Sequence, residues 1–241
     1  MPEKTLGVVL RSLKYDDNSL IVDIYTATRG DGVLYGQVAQ VAQGGGEGRV
    51  FPSALHFGAG FRLPAEGGLA AYPRCAFRLC LPVVALRPYK SAMALFLAEF
   101  LCRALKHEAD NGPLFSYVLY SLEWLDASER AFSNFHLVFI TRLTRFLGFY
   151  PNVEAWHEGD FFRHGECLFR AVPSAPPRLS GAARGRAHSP FMRMNYDSMR
   201  FFAMNRLERE RYLEVLNEYY RLHIPEFPAL KSPEVLKEVF A

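Results

Sequence analysis

Apolar and polar positions alternate from the start of the chain. Residues 5–13 (TLGVVLRSL) and 19–26 (SLIVDIYT) are β-branched and apolar with partial alternation. Between them Lys14-Tyr15-Asp16-Asp17-Asn18 supplies the Asp and Asn that favour a turn, so the pattern predicts a hairpin. Arg29-Gly30-Asp31-Gly32 supplies a second turn before a third strand, VLYGQVAQV. Gln43 to Gly48 (QGGGEG) reads as a flexible connection, and FPSALHFGAGFRL and GGLAAYPRCAFRLCL as two more short strands broken by glycine and proline. Five short strands in succession predict a small sandwich or barrel, and the count suits a five-stranded OB-type barrel. Strand periodicity alone does not choose between them.

The pattern changes between Pro82 and Pro88. From Ser91 the period is helical, with Met93, Leu97, Phe100, Leu101, Ala104 and Leu105 at three- and four-residue spacings. A second helix is expected from near Pro113, carrying Leu114, Tyr117, Val118, Leu122 and Leu125. A third is expected from about Glu129 to Leu147, with Phe132, Phe135, Phe139, Leu143, Phe146 and Leu147 on its apolar side and Gly148 and Pro151 as stop signals. Three helices in a row predict a bundle. Residues 151–190, rich in proline and glycine and without a sustained period, read as an irregular insertion with a short strand at Glu166 to Val172. Helical patterns resume at Tyr196 to Asn205 and Glu208 to Leu222, and SPEVLKEVF adds a last helix with Ser232 as cap and Pro233 at its first position. The fold class is therefore α+β, β then α: a small five-stranded barrel or sandwich over 1–86 and an all-helical domain over 87–241, with residues 151–190 as an arginine-rich insertion.

Composition narrows the class. The 241 residues are half apolar and 14% aromatic, with 28 Lys plus Arg against 25 Asp plus Glu, a globular balance and not a disordered one. The longest apolar stretch, Ala92 to Ala98, is closed by Glu99, far short of the roughly 20 residues that span a bilayer. The first twenty residues lack the apolar core of a signal peptide, so a cytoplasmic protein is expected. Cys75, Cys80, Cys102 and Cys167 form no Cys-x-x-Cys pair and read as reduced, buried thiols.

No catalytic constellation announces itself. Gly44 to Gly48 lacks the Lys-Ser/Thr of a P-loop, and His164, Glu166 and Cys167 fall short of a zinc ligand set. His107, His136 and His223 lie on predicted helices, where histidine usually covers the edge of a core. Charge distribution says more. Residues 1–86 carry eight bases and seven acids, a net of +1, whereas from Phe161 to Arg206 eight arginines face only Glu166 and Asp197, a net of +6. Arginine forks pair bidentately with phosphate and stack on bases, so the loop RLSGAARGRAHS reads as a nucleic-acid contact as readily as a solvated loop.

Four segments in order, KTLGVVLRSLKYDDNSLIVDIYTATRG, SAMALFLAEFLCRAL, FSNFHLVFITRLTRFLGFYP and YYRLHIPEFPALKSPEVLKEVF, resemble the RecO family of bacterial DNA repair and recombination mediators in its Bacteroidetes-type form. The resemblance implies an N-terminal OB-fold followed by helices, and a non-enzymatic protein that binds single- and double-stranded DNA and anneals complementary strands. It implies partners as well: the acidic C-terminal tail of single-stranded DNA-binding protein, and RecR, with which such proteins load RecA onto coated strands; RecF is a further candidate. Family members commonly carry a Lys/Arg cluster after the third strand, where this chain has Gln37, Gln40, Gln43 and the glycine run. The expected DNA contacts are therefore Arg11, Lys14, Arg29 and Arg49, together with Arg178, Arg184, Arg186 and Arg193. Some members bind zinc through four cysteines between the third and later helices; only Cys167 lies there, so no metal or other cofactor is expected. For the acidic tail, which ends in phenylalanine, the expected receptor is Phe135, Phe139, Arg142, Leu143 and Arg145, an apolar stripe flanked by cations three residues apart. The rival reading is an adaptor whose barrel binds protein and little DNA, which the near-neutral first 86 residues favour.

Overall fold

A computed structural model describes residues 3–14, 20–27, 30–32, 36–38, 56–63, 70–72, 84, 87–106, 108, 111–151, 161–163, 168–170 and 193–239. Strands come first: β1 (Glu3–Lys14), β2 (Leu20–Thr26), β3 (Gly30–Gly32), β4 (Gly36–Val38), β5 (His56–Leu63) and β6 (Ala70–Tyr72). Helices follow: α1 (Pro88–Ala104), α2 (Gly112–Ala127), α3 (Phe135–Phe146), α4 (Arg206–His223) and α5 (Ser232–Val239), with β7 (Phe161–Arg163), β8 (Leu168–Arg170) and a 3-10 turn (Met199–Phe201) before α4. The order is thus β then α, as the periodicity predicts. Among the described residues no helix is long and apolar enough to cross a membrane.

The expected hairpin pairs β1 with β2 antiparallel, Gly7 opposite Thr26 and Lys14 opposite Leu20, with an irregularity between Val9 and Arg11. β5 lies on the other side of β1, and β3 beyond β2, giving the order β3-β2-β1-β5. The segment Gly30–Gly32, expected within a turn, is ladder, with Thr26 opposite Gly30 and Ile24 opposite Gly32. Of the expected third strand, Gly36–Val38 is paired, in parallel with Ala70–Tyr72.

Packing divides the chain into two compact units, one of residues 1–127 and 229–241 and one of residues 128–228. The expected three-helix bundle is therefore divided, because α1 and α2 pack with the strands. In the first unit α1 is buried nearly all round, from Ala92, Met93 and Ala94 to Phe100, Leu101 and Ala104. It meets β1 and α5, the environment that an apolar helix without a broad polar face requires. Val8, Val9, Leu10, Ile24 and Tyr25 complete this core, and the Tyr25 ring lies 5.8 Å from Phe115 of α2. Asn111 caps α2, its side chain accepting from the Leu114 N–H at 3.0 Å. The buried Lys90 donates to the Asp126 carbonyl at 2.8 Å, tying the start of α1 to the end of α2. Ser232 is not the cap of α5 that its position suggests; its hydroxyl donates to the Glu99 carboxylate of α1, which also accepts from the Ser232 N–H at 2.8 Å and the Lys231 N–H at 3.1 Å.

In the second unit α3 begins six residues later than expected, at Phe135. Ala131 sits at φ 59, a left-handed conformation incompatible with helix, and the chain enters α3 only after Asn134. The expected stop holds: Gly148 has φ 83 and the Phe149 N–H donates to the Thr144 carbonyl at 3.1 Å, a Schellman ending. Tyr196 to Asn205, expected helical, forms only the 3-10 turn, because Asn195 and Ser198 exchange side-chain-to-backbone hydrogen bonds of 2.6 and 3.0 Å that compete with a helix. A capping box between Asn205 and Glu208 then starts α4. Its tyrosines lock onto α3: Tyr212 Oη lies 3.0 Å from Thr141 Oγ1, and Tyr220 Oη donates to the Ile140 carbonyl at 2.8 Å. The short strand expected within Glu166 to Val172 is β8, paired antiparallel with β7.

Candidate nucleic-acid and partner interface

The residues expected to meet DNA are placed unevenly. Arg11 is exposed on β1, across the ladder from Asp23. Asp23 in turn accepts a long hydrogen bond from the Cys102 thiol, 3.8 Å away, and burial together with that carboxylate pushes the thiol pKa up. Cys102 is half-buried and protonated, a packing group and not a nucleophile. Lys14 is the last paired residue of β1, opposite Leu20. Arg193 is exposed, immediately before the Asn195–Ser198 turn. Arg29, Arg49, Arg178, Arg184 and Arg186 lie outside the described residues, as do Cys75, Cys80, Cys167, His107 and His164.

The five residues expected to receive an acidic tail all lie on α3, and the structure separates them by burial. Phe135, Phe139 and Leu143 recur every fourth residue, and their side chains are fully buried. Phe135 packs 6.1 Å from Phe139 and stacks on Tyr196 at 5.3 Å. What remains accessible beside this buried stripe is cationic. Arg142 is half-buried and directs Nε to the Met194 carbonyl at 3.5 Å, and Arg145 is exposed with its guanidinium 4.7 Å from the centre of the Tyr150 ring.

His136, on the same helix, is wholly buried, and burial together with the Arg209 charge lowers its pKa to about 3. At neutral pH this imidazole is uncharged core. His223 stacks on Phe149 at 5.0 Å, a covering role like the one expected.

A feature that the sequence pattern conceals lies on the 3-10 turn. Phe201 is 72% exposed, and the Arg200 guanidinium carbon lies 4.6 Å from its ring centre. The turn is held from α3: Asn134 Nδ2 donates to the Phe202 carbonyl at 2.9 Å and reaches the Met199 carbonyl at 3.5 Å. The signal in the sequence is the Asn195-x-x-Ser198 spacing followed by Arg-Phe-Phe, which a helical reading of Tyr196 to Asn205 absorbs into an amphipathic face.

Residues 86–234 match the family model described as "Recombination protein O C terminal". The chain is 44% identical to the DNA repair protein RecO of Phocaeicola vulgatus and 44% identical to that of Bacteroides fragilis, with 100% of each chain covered. It is 31% identical to the DNA repair protein RecO of Christiangramia forsetii, with 98% of both chains covered.

Proposed function

Because the chain belongs to the RecO family of DNA repair proteins, we propose that it is a recombination mediator. It binds and anneals DNA strands and, with RecR, helps load RecA onto single strands coated by single-stranded DNA-binding protein. The observation that carries this reading is the 44% identity over the whole length of proteins named for DNA repair. The work is non-covalent: cations that neutralise phosphates lower the barrier to bringing two polyanionic strands together, and protein contacts direct the complex to coated DNA. In this reading the protein needs no cofactor and acts in the cytoplasm at the nucleoid, with RecF as a further partner.

An OB barrel over residues 1–86, followed by a helical part over 87–241, belongs to the same reading. The strand order supports it. β4 lies against β2 and pairs with β6, while β5 flanks β1. In a flat sheet β5 and β6 would then stand on opposite sides, although they follow one another in the chain; consecutive strands usually lie near each other, and a sheet curled towards closure brings such a pair together. Such a barrel offers Arg11, Lys14, Arg29 and Arg49 to DNA, and the arginine-rich segment adds Arg178, Arg184, Arg186 and Arg193. Arg142 and Arg145 form the cationic rim that receives the acidic tail, with Phe135, Phe139 and Leu143 as the packed floor beneath.

Fluorescence anisotropy of a labelled single-stranded oligonucleotide at several salt concentrations tests the reading, followed by annealing of coated complementary strands. Affinity should fall with a logarithmic salt slope of about −0.7 per phosphate neutralised. Absence of an isotherm, with the acidic tail peptide still captured, would replace the mediator with the adaptor that the +1 charge balance of residues 1–86 favours. Replacing Arg178, Arg184 and Arg186 with alanine should flatten the slope, and Arg142→Glu should abolish tail capture; an unaltered slope or capture would remove those residues from their sites.

A further inference from the structure

Phe201 is the most exposed large apolar side chain among the described residues. A lone exposed ring on a fraying terminus would mean little, but this one stands on a pinned turn. Met199, two residues before it, is buried, Asn195 and Ser198 brace the turn from below, and Asn134 holds the carbonyls on either side. The ring is therefore held out into solvent by structure that fixes its position.

The charged group seen against the ring is a cation. It is Arg200, and the segment 193–206 carries Arg193, Arg200 and Arg206 against Asp197 alone. Arg206 is engaged with Glu210 at 2.9 Å, and Arg200 is the exposed cation seen against the ring. Leu207, at the start of α4, is also exposed, at 53%.

We propose that Phe201 and Arg200 form a stacking platform for an unpaired base of single-stranded DNA, with Arg200 meeting the adjoining phosphate. The shape of the feature selects the ligand. An apolar peptide side chain is received by a recess that desolvates it, whereas a ring standing proud of the surface offers a face, and its complement is another flat group. An unpaired nucleobase is flat, is tethered to an anion that suits Arg200, and stacks without regard to sequence because every base has a π-face. Duplex bases are already stacked on one another, so the platform discriminates single strands from double strands. This inference rests on the DNA-binding reading above and gives it a specific contact and a strand preference.

The test compares the full-length protein with Phe201→Ala, Phe201→Trp and Arg200→Ala, binding a labelled oligothymidine and a hairpin duplex of matched charge, with thermal melts of each variant. Phe201→Ala should weaken oligothymidine binding by at least about fivefold while leaving the duplex unaffected, and Phe201→Trp should restore it. Arg200→Ala should reduce the salt slope on oligothymidine by about 0.7. Equal affinity of Phe201→Ala and wild type for the single strand, with wild type binding well, overturns the platform and leaves the DNA-binding reading standing. Parallel weakening on single strand and duplex overturns it too, since stacking on a free base cannot account for an effect on paired ones. Loss of acidic-peptide capture with DNA binding intact would assign the ring to a protein partner instead. A wild type that binds no oligothymidine refutes both the platform and the reading it rests on.

Discussion

Glu99 of α1 does for α5 what a capping residue does within its own helix. Its carboxylate takes the N–H groups of Lys231 and Ser232 and the Ser232 hydroxyl, three donors at the start of a helix that has no preceding turn to satisfy them. The eight residues of α5 bury Leu236 but little else fully, so this polar clasp is a large share of what docks it. Replacing an N-cap oxygen acceptor with alanine typically costs ~1 kcal/mol, and charged acceptors lie at the upper end of hydrogen-bond contributions. Because the site is partly open and water can replace some of the lost partners, Glu99→Ala should weaken the docking of α5 by about 1–2 kcal/mol, raising the population of released helix roughly 5- to 30-fold.

Amide hydrogen exchange over residues 232–239 reads that population directly. Protection should fall by that factor in Glu99→Ala and by less in Glu99→Gln, which keeps an acceptor but not the charge. The pH dependence is a second check. Burial pushes the Glu99 carboxyl up, but hydrogen bonds from the Ser232 side chain and from the Ser232 and Lys231 backbone, with the Arg103 charge, outweigh it and hold the pKa below the ordinary 4.5. A carboxyl with the lower pKa in the folded state contributes fully above its ordinary value and loses that contribution as pH falls through the depressed one. Wild type and Glu99→Ala should therefore differ at pH 7 and converge in acid. Equal protection at pH 7 would refute the clasp.

His136 gives a different acid window: with about 3 in the fold against 6.5 when exposed, the unfolded chain takes up a proton that the fold refuses. Stability of the second unit should thus fall by up to ~1.4 kcal/mol per pH unit below 6.5; urea melts at pH 7.5, 6 and 5 check it, and an undiminished slope in His136→Gln would refute it. Tyr220→Phe removes the buried hydrogen bond to the Ile140 carbonyl and should lower stability by about 1 kcal/mol in the same melts; an unchanged urea midpoint would refute that. Asn134→Ala should speed exchange of the Phe201 and Phe202 amides, which donate to Ser198 and Met199 within the turn that Asn134 holds; unchanged exchange would mean that the turn stands by itself.

Local chemistry makes some boundaries legible. The end of α3 is written in Gly148 and Pro151, and the buried face of α2 in the spacing from Leu114 to Leu125, because those signals act within a few turns of chain. The start of α3 is not, since what holds Asn134 is a pair of carbonyls 65 and 68 residues away. Local pattern puts the cap of α5 on Ser232 for the same reason: Glu99 lies 133 residues from Ser232, and nothing nearby announces a capping residue at that distance. Periodicity also cannot tell a core stripe from a binding stripe. Phe135, Phe139 and Leu143 have the spacing of either, and their complete burial becomes visible only with α4 and Tyr196 packed around them. The reverse error hides Phe201, which a helical reading places on an amphipathic face while the turn delivers it to solvent.

The family match and the packing units divide the chain at different places, and the difference has a physical basis. The matched segment, residues 86–234, begins where strands give way to helices and ends inside α5. Packing follows burial instead, and groups α1, α2 and α5 with the strands. α1 decides the matter, because Ala92, Met93, Ala94, Phe96, Leu97 and Phe100 are covered from more than one direction and one of those covers is β1. A fragment limited to residues 87–241 would present the β1-facing side of α1 to water, and burial of several side chains at ~1.5–3 kcal/mol each is comparable with what a domain of ordinary stability holds in reserve. Tests of DNA, tail and partner binding therefore belong on the full chain, where a lost activity can be assigned to the substituted residue and not to an uncovered helix.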